Sequence, residues 1–200
     1  QQWDPEHKES DARYSRFGLA PKSKADYAFL LHDLYHLKPD GIMAIVLPHG
    51  VLFRGGEEGN IRKELIENDH LDTIIGLPAN IFFGTGIPTT ILVLRQKRQN
   101  NDVLIVDASK GFAKEGKTNK LRASDIKKVT DTVIARESLP HFSRVVSKDE
   151  IRENKYNLNI PRYVDSSEPA ESWDLYASMF GGIPLSEMES LADYWKAFPS

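Results

Sequence analysis

The side chains able to do chemistry in this 200-residue sequence are few: six histidines, no cysteine, and two adjacent phenylalanines in a glycine-rich stretch. His32 and His36 stand four apart, which puts two imidazoles on one helical face. Asp33 lies off that face, so the His-Glu-His pattern of helical zinc hydrolases is absent. A solvent-facing helix side accounts for the pair, and no metal site is expected. His49 follows a short apolar run, the place where α/β sheets put ligand-contacting loops, though such residues more often orient the loop itself. The most informative stretch is 81–88, Ile-Phe-Phe-Gly-Thr-Gly-Ile-Pro. Successive side chains diverge, so either Phe82 or Phe83 points away from the core. An outward ring offers a flat π face on which a nucleobase stacks at ~1–3 kcal/mol. The competing arrangement packs both rings under the loop. The sequence holds no phosphate-cradling Gly-rich loop, nucleophile elbow or paired catalytic acids.

Composition narrows the classes further. Apolar residues make up 40% and charged residues 28%, enough to build a core and too ordered a mixture for collagen or low-complexity chains. A net charge of −3 excludes a uniformly basic nucleic-acid binder but not a local basic patch. The absence of cysteine removes disulfides, thiolate zinc sites and cysteine nucleophiles, and suits a reducing compartment. No apolar run approaches the ~20 residues of a membrane helix. Charge is also segregated. Between Arg95 and Lys128, ten basic residues face four acidic ones, a net of +6. From Asp165 to Ser200, seven acids face one lysine, a net of −6. Two solvated faces would produce the same pattern.

The elements that must position these residues alternate. Residues 1–22 are polar and rich in turn formers. Ser23 and Asp26 have capping-box spacing for a helix whose inner face is Tyr27, Leu30, Leu31, Leu34 and Leu37. Residues 42–47 read as a strand buried on both faces. Gly55-Gly56 and two acids then open a helix with Ile61 and Leu65 inward. Strands follow at 71–77, 89–94 and 103–106. The first two are too close for a helical crossover, so an antiparallel hairpin at one edge of a mostly parallel sheet is expected. Residues 108–121 read as a Lys- and Gly-rich loop. Ser124 is the expected cap of a helix with Ile126, Val129, Val133 and Ile134 inward, followed by a short strand at 144–146. A helix capped by Ser147 and Glu150 comes next, then an extended segment at 156–163. A last helix from Ser186 carries Met188, Leu191, Ala192 and Trp195 on one stripe, a face that needs a protein partner.

Several of these stretches, in order, resemble one family. They are Asp26-Tyr27-Ala28-Phe29-Leu30-Leu31-His32, the Leu37-Lys38-Pro39-Asp40-Gly41 turn, and residues 46–56 (Val-Leu-Pro-His-Gly-Val-Leu-Phe-Arg-Gly-Gly). Residues 61–63, 75–78, 83–88 (Phe-Gly-Thr-Gly-Ile-Pro), 107–109 and 156–163 (Tyr-Asn-Leu-Asn-Ile-Pro-Arg-Tyr) complete the set. The chain resembles the modification subunit of type I restriction–modification systems from about residue 3 to 198.

The resemblance implies an α/β fold: the later half of a Rossmann-like S-adenosylmethionine-dependent methyltransferase sheet with an edge hairpin, plus a mostly helical C-terminal appendage. Residues 1–121 would belong to the catalytic domain and 122–200 to a subunit-contact region. It implies methyl transfer from S-adenosylmethionine to the exocyclic amino group of adenine in DNA, in a prokaryotic cytoplasm. The implied partners are a specificity subunit and often a restriction subunit. The family's Asn-Pro-Pro-aromatic catalytic loop and Gly-rich cofactor loop do not occur in this sequence, and Trp3 fits the place just after the former. The chain is therefore expected to be a C-terminal part with no catalytic residue of its own and to be inactive alone. Phe83 would stack on the target base and Phe82 would be its buried neighbour, costing ~3–5 kcal/mol on truncation. Asp26 and Phe29 would lie at the periphery of the cofactor pocket. Arg54 with Gly55-Gly56 would approach a phosphate or simply form the helix entry. Two rival readings remain. One is a non-catalytic module that docks the specificity subunit. The other is a ribosomal or transfer-RNA methyltransferase, which shares the sheet but lacks the 156–163 segment.

Overall fold

Two short, fully buried strands form the centre of a five-stranded sheet in the computed structural model, which describes residues 2–167, 179–183 and Met188. They are β2 (Leu71–Gly76) and β4 (Val103–Asp107), parallel to each other and buried along their whole lengths. β4 runs Val-Leu-Ile-Val before Asp107, the continuous apolar pattern that suits burial on both faces, whereas β2 buries Asp72 and Thr73 as a pair, the Thr73 hydroxyl donating to Asp72 Oδ2 at 2.8 Å. β1 (Ile42–Pro48), β3 (Thr89–Arg95) and β7 (Ser143–Val146) complete the order β1-β3-β2-β4-β7. β3 runs antiparallel to both β1 and β2, and β7 antiparallel to β4.

One face of the sheet, with Ile74, Leu92, Leu94 and Ile105, packs on α1 (Asp26–His36) and α2 (Glu57–Glu67). The other face, with Ile75, Leu104 and Val106, packs on Val129 and Val133 of α3 (Ala123–Ala135). Tyr27 is fully buried on α1, and its hydroxyl donates to the Val51 carbonyl at 2.8 Å. Burial pushes that phenol up to about 12. Residues Gln1–Ser166 form one compact unit and Ser167–Ser200 a second. The expected helix from Ser186, with its Trp195 stripe, lies outside the described residues apart from Met188.

Several expectations change. The β2–β3 hairpin is present, but it sits inside the sheet, because β1 pairs on the far side of β3. β1 itself is an edge strand among the described residues: Ile42, Ala44 and Val46 share the sheet face on which α3 packs but are exposed beside it. Apolar runs look alike at an edge and in a centre; only the neighbours differ. The Ser23–Asp26 capping box does not form. Ala25 takes the cap position without a side-chain bond. The α3 cap moves from Ser124 to Arg122, whose backbone N–H donates to Asp125 Oδ2 at 3.0 Å. Ile126 and Ile134 of α3 are exposed rather than inward. Residues 108–121 contain a small hairpin, β5 (Ala113–Glu115) with β6 (Thr118–Lys120). Segment 156–163 is not extended: Lys155 and Tyr156 are left-handed, and Ile160–Arg162 form a 3-10 turn.

α4 (Lys148–Glu153) follows Ser147, whose hydroxyl caps it by accepting from the Glu150 N–H at 3.2 Å. Arg152 on α4 grips Glu67 at the end of α2, with Nε to Oε1 at 2.8 Å and Nη2 to Oε2 at 2.6 Å. The Tyr156 hydroxyl adds a bond to the same carboxylate at 2.7 Å. Arg152 first, then Tyr156, hold the Glu67 carboxyl down to about 2. A carboxyl depressed on folding stabilises above its unfolded pKa, and that contribution fades as pH falls toward its folded value. The melting temperature of the native chain should therefore exceed that of Glu67→Gln near neutrality. The gap should close between roughly pH 4.5 and 2, the window from a free glutamate to this one. An equal gap at both ends would remove the electrostatic explanation.

Candidate functional site

β1, β2 and β4 all end on one rim, the side of a sheet where α/β proteins place ligands. Three segments meet there: 49–56 after β1, 77–88 after β2, and 107–110 after β4. The 77–88 loop is pinned at both ends. Leu77 N–H donates to the Thr89 carbonyl at 2.9 Å, and His49 N–H donates to the Pro88 carbonyl at 3.1 Å. The hairpin of β5 and β6 braces its near side, with Asn119 Nδ2 donating to the Ala79 carbonyl at 2.7 Å and Asn119 N–H to the Asn80 carbonyl at 2.8 Å. Lys114 and Lys117 are exposed on that hairpin.

Between these anchors the tip stands clear. Phe83 is 98% exposed and Phe82 43% exposed. Phe82 is thus not the fully buried neighbour that the resemblance implied. The turn at Gly84 explains why both rings leave the core. Its φ of +81° is a conformation that side-chain-bearing residues rarely adopt, and it swings the chain outward with open space around it.

His49 sits behind the rim. Burial lowers its imidazole pKa, and the Asp107 carboxylate opposes that shift. Asp107 is itself engaged, accepting from Ser109 N–H at 3.0 Å and from the Ser166 hydroxyl at 2.6 Å. His49 packs edge-on against Phe53 with ring centroids 5.6 Å apart, so it orients the 49–53 turn. Asp26 faces the same turn. Its carboxylate lies 3.4 Å from Arg54 Nη1, which also reaches Glu58 Oε1 at 3.1 Å. That pairing commits Arg54 to the helix entry. Phe29, one helical turn beyond Asp26, is 53% exposed. His32 and His36 have ring centroids 4.5 Å apart, with Arg13 Nη1 2.9 Å from His32 Nδ1. No cluster able to hold a metal occurs among the described residues, nor a helix long and apolar enough to cross a membrane.

Sequence reasoning missed the brace under the aromatic loop. Asn119 lies in a Lys-rich stretch, and nothing local marks it as the partner of residues 79 and 80.

A sequence model of the N-6 DNA methylase family matches residues 1–172. The chain is 41% identical over 168 residues to the methylase subunit of the type I restriction enzyme MpnII of Mycoplasma pneumoniae, covering 83% of this chain and 31% of the relative. It is 36% identical over 186 residues to the MjaVII methylase subunit of Methanocaldococcus jannaschii, covering 89% and 32%. The crystal structure of a type I restriction–modification methyltransferase subunit from Streptococcus thermophilus superimposes with a TM-score of 0.81 at 56% identity, over 82% of this chain and 36% of that one. The chain thus spans about a third of the length of these relatives. With the fold, the family match and these relatives in agreement, the chain belongs to the N-6 DNA methylase family.

Proposed function

We propose that this chain is the later part of a Rossmann-like, adenine-specific DNA methyltransferase that works as the modification subunit of a type I system. The observation that carries the reading is the 77–88 loop: a rim loop fixed at both ends whose tip lifts a phenylalanine almost wholly into solvent. An adenine amino group is unreachable within a duplex, so its methylation requires the base to be turned out and held. Phe83 supplies the flat face that holds it. Exposed Lys114 and Lys117 on the bracing hairpin supply charge for the flanking phosphates.

In this reading S-adenosylmethionine supplies the methyl group. The oxygens of an Asn-Pro-Pro-aromatic loop, which accept hydrogen bonds from the adenine amino group, come from a part of the parent outside these 200 residues. β1 pairs on one side only and exposes Ile42, Ala44 and Val46, which favours a sheet continued there by that part. Asp26 and Phe29, on the helix beside that open edge, then border the cofactor pocket. Residues 122–200 form the region that meets other subunits, the specificity subunit first, and exposed Ile126 and Ile134 on α3 favour this. A restriction subunit completes the assembly in the cytoplasm of a prokaryote.

Isothermal calorimetry of the 200-residue chain with S-adenosylmethionine should show no micromolar binding. Joined to the preceding part of its parent and a specificity subunit, the chain should transfer labelled methyl groups to duplex DNA and yield N6-methyladenine. Micromolar cofactor binding by the isolated chain would contradict the division of labour. A reconstituted assembly that methylates cytosine, RNA or nothing would overturn the reading itself.

A further inference from the structure

A cleft of about 540 Å³ opens beside the N-terminus of α2, between Gly55-Gly56 and the left-handed turn at 154–157. Its lining carries four cations, Arg62, Lys63, Lys155 and Arg162, and one carboxylate, Glu153. Arg62 is only 4% exposed. Its Nε donates to the Tyr156 carbonyl at 2.6 Å, and its Nη1 donates to the carbonyls of Val51 and Arg54 at 2.9 Å each. Nη2 makes none of these bonds and lies beside Gly59, where a Cβ would come within 3.8 Å of it. Arg62 thus builds the cleft wall. Lys63, Lys155 and Arg162 are exposed, and none of them is within ion-pair distance of a described carboxylate; Lys63 Nζ rests 5.8 Å from the Tyr156 ring centroid. Gly55 and Gly56 have open space around them, so the start of an eleven-residue helix is uncovered. Its Glu57 points charge of the wrong sign at solvent, while Glu58 is buried against Arg54. Phe53 also lines the cleft and joins it, through His49 and Pro88, to the loop of Phe83.

We propose that this cleft binds the phosphodiester backbone of DNA, placing a second anchor on the same rim as the base-stacking loop. The proposal rests on the DNA-modifying reading above and adds where the strand is gripped. Three uncommitted cations around an uncovered helix start suit a ligand with several negative charges and no fixed sequence. A free polyphosphate presents the same chemistry, and the experiment separates the two.

The test is fluorescence anisotropy of the 200-residue chain with a labelled short DNA duplex across a salt series. The variant Lys63→Gln/Lys155→Gln/Arg162→Gln is compared with a charge-matched control, Lys22→Gln/Lys24→Gln/Lys38→Gln. The expected result is a Kd raised about tenfold or more in the cleft variant, and a salt slope reduced by about 0.9 for each phosphate no longer neutralised. The control should change little, inorganic tripolyphosphate should compete poorly, and both variants should melt like the native chain. Equal weakening by both variants, or equal competition by tripolyphosphate, would overturn the proposal while leaving the methyltransferase reading intact. Absence of any duplex binding by the native chain would overturn it as well. Failure of the methyl-transfer reconstitution, with cleft-dependent duplex binding retained, would count against the reading and not the cleft.

Discussion

Replacing Arg98 by Met should lower the stability of the chain by about 3–5 kcal/mol, the range for breaking a buried ion pair on one side. The Arg98 side chain is 1% exposed, in the segment between β3 and β4. Its Nη1 donates to the Leu71 carbonyl at 2.6 Å, and its Nη2 donates to the Asp102 carbonyl. Nε lies 3.0 Å from Asp72 Oδ1, close enough for strong attraction but off the hydrogen-bonding line. Burial pulls the guanidinium pKa down from its ordinary range, and Asp72 is the chief group opposing that pull. Arg136, at the end of α3, reaches the same acids: Nη1 to Asp72 Oδ2 at 3.4 Å and Nη2 to Asp102 Oδ1 at 2.5 Å. Without Arg98, Asp72 keeps the Thr73 hydroxyl at 2.8 Å, but its remaining cationic contacts are the longer approach of Arg136 at 3.4 Å and a 3.6 Å approach from the half-exposed Arg95. The Leu71 carbonyl also loses the Arg98 donor, while the Asp102 carbonyl retains Arg136 Nη2 at 3.0 Å. Urea unfolding of Arg98→Met, Asp72→Leu and the double variant would measure this. The double variant should cost less than the sum of the singles, because it removes the stranded charge. A loss below about 1 kcal/mol for Arg98→Met would place the pair among surface bridges instead.

In the assembled enzyme, Phe83→Ala should slow methylation roughly five- to hundred-fold, the equivalent of a lost stacking face at ~1–3 kcal/mol. Its melting temperature should match the native value, because a ring that is 98% exposed contributes no core packing. Phe83→Trp keeps a π face and should retain most activity, whereas Phe83→Leu keeps apolar bulk and should not. With 2-aminopurine at the target position, the fluorescence rise on base flipping should be reduced in Phe83→Ala and Phe83→Leu alike. Phe82→Ala is a separate case. With that ring 43% exposed, its cost to stability falls to about 1–2 kcal/mol, below the 3–5 of a fully buried aromatic. If Phe82→Ala abolishes methylation and Phe83→Ala does not, the two rings have been assigned in reverse.

Elements whose signal is local are legible in the sequence. β4 opens on four apolar residues without a polar break, a pattern that suits burial on both faces, and β2 shares it at Ile74-Ile75. The inner face of α1 follows from apolar spacing, and Tyr27, Leu30, Leu31 and Leu34 are all buried on it. Ser147 caps α4 because its hydroxyl has a donor three residues away and no better partner. The succession of motifs was enough to recognise the family, since each is a short stretch read in order.

Tertiary structure alone decided whatever depends on a partner far along the chain. Asp26 has capping-box spacing, yet it pairs with Arg54, 28 residues on, because a guanidinium attracts it more strongly than a backbone N–H. β1 has the composition of a central strand and lies at an edge, since composition does not say which strand arrives beside it. Val133 and Ile134 are equally apolar neighbours on α3, but the helix turns the buried face, with Val129, Thr132 and Val133, away from the second. Nothing adjacent in the sequence marks Arg62 or Arg98 for burial. They are buried because the carbonyls of residues 51, 54 and 156, and of 71 and 102, converge on them only once the chain has closed. The direction of Phe82 and Phe83 belongs to the same class. The turn at Gly84 sends both rings out of the core from a loop held at Thr89, His49 and Asn119, and those anchors come together only in the folded sheet.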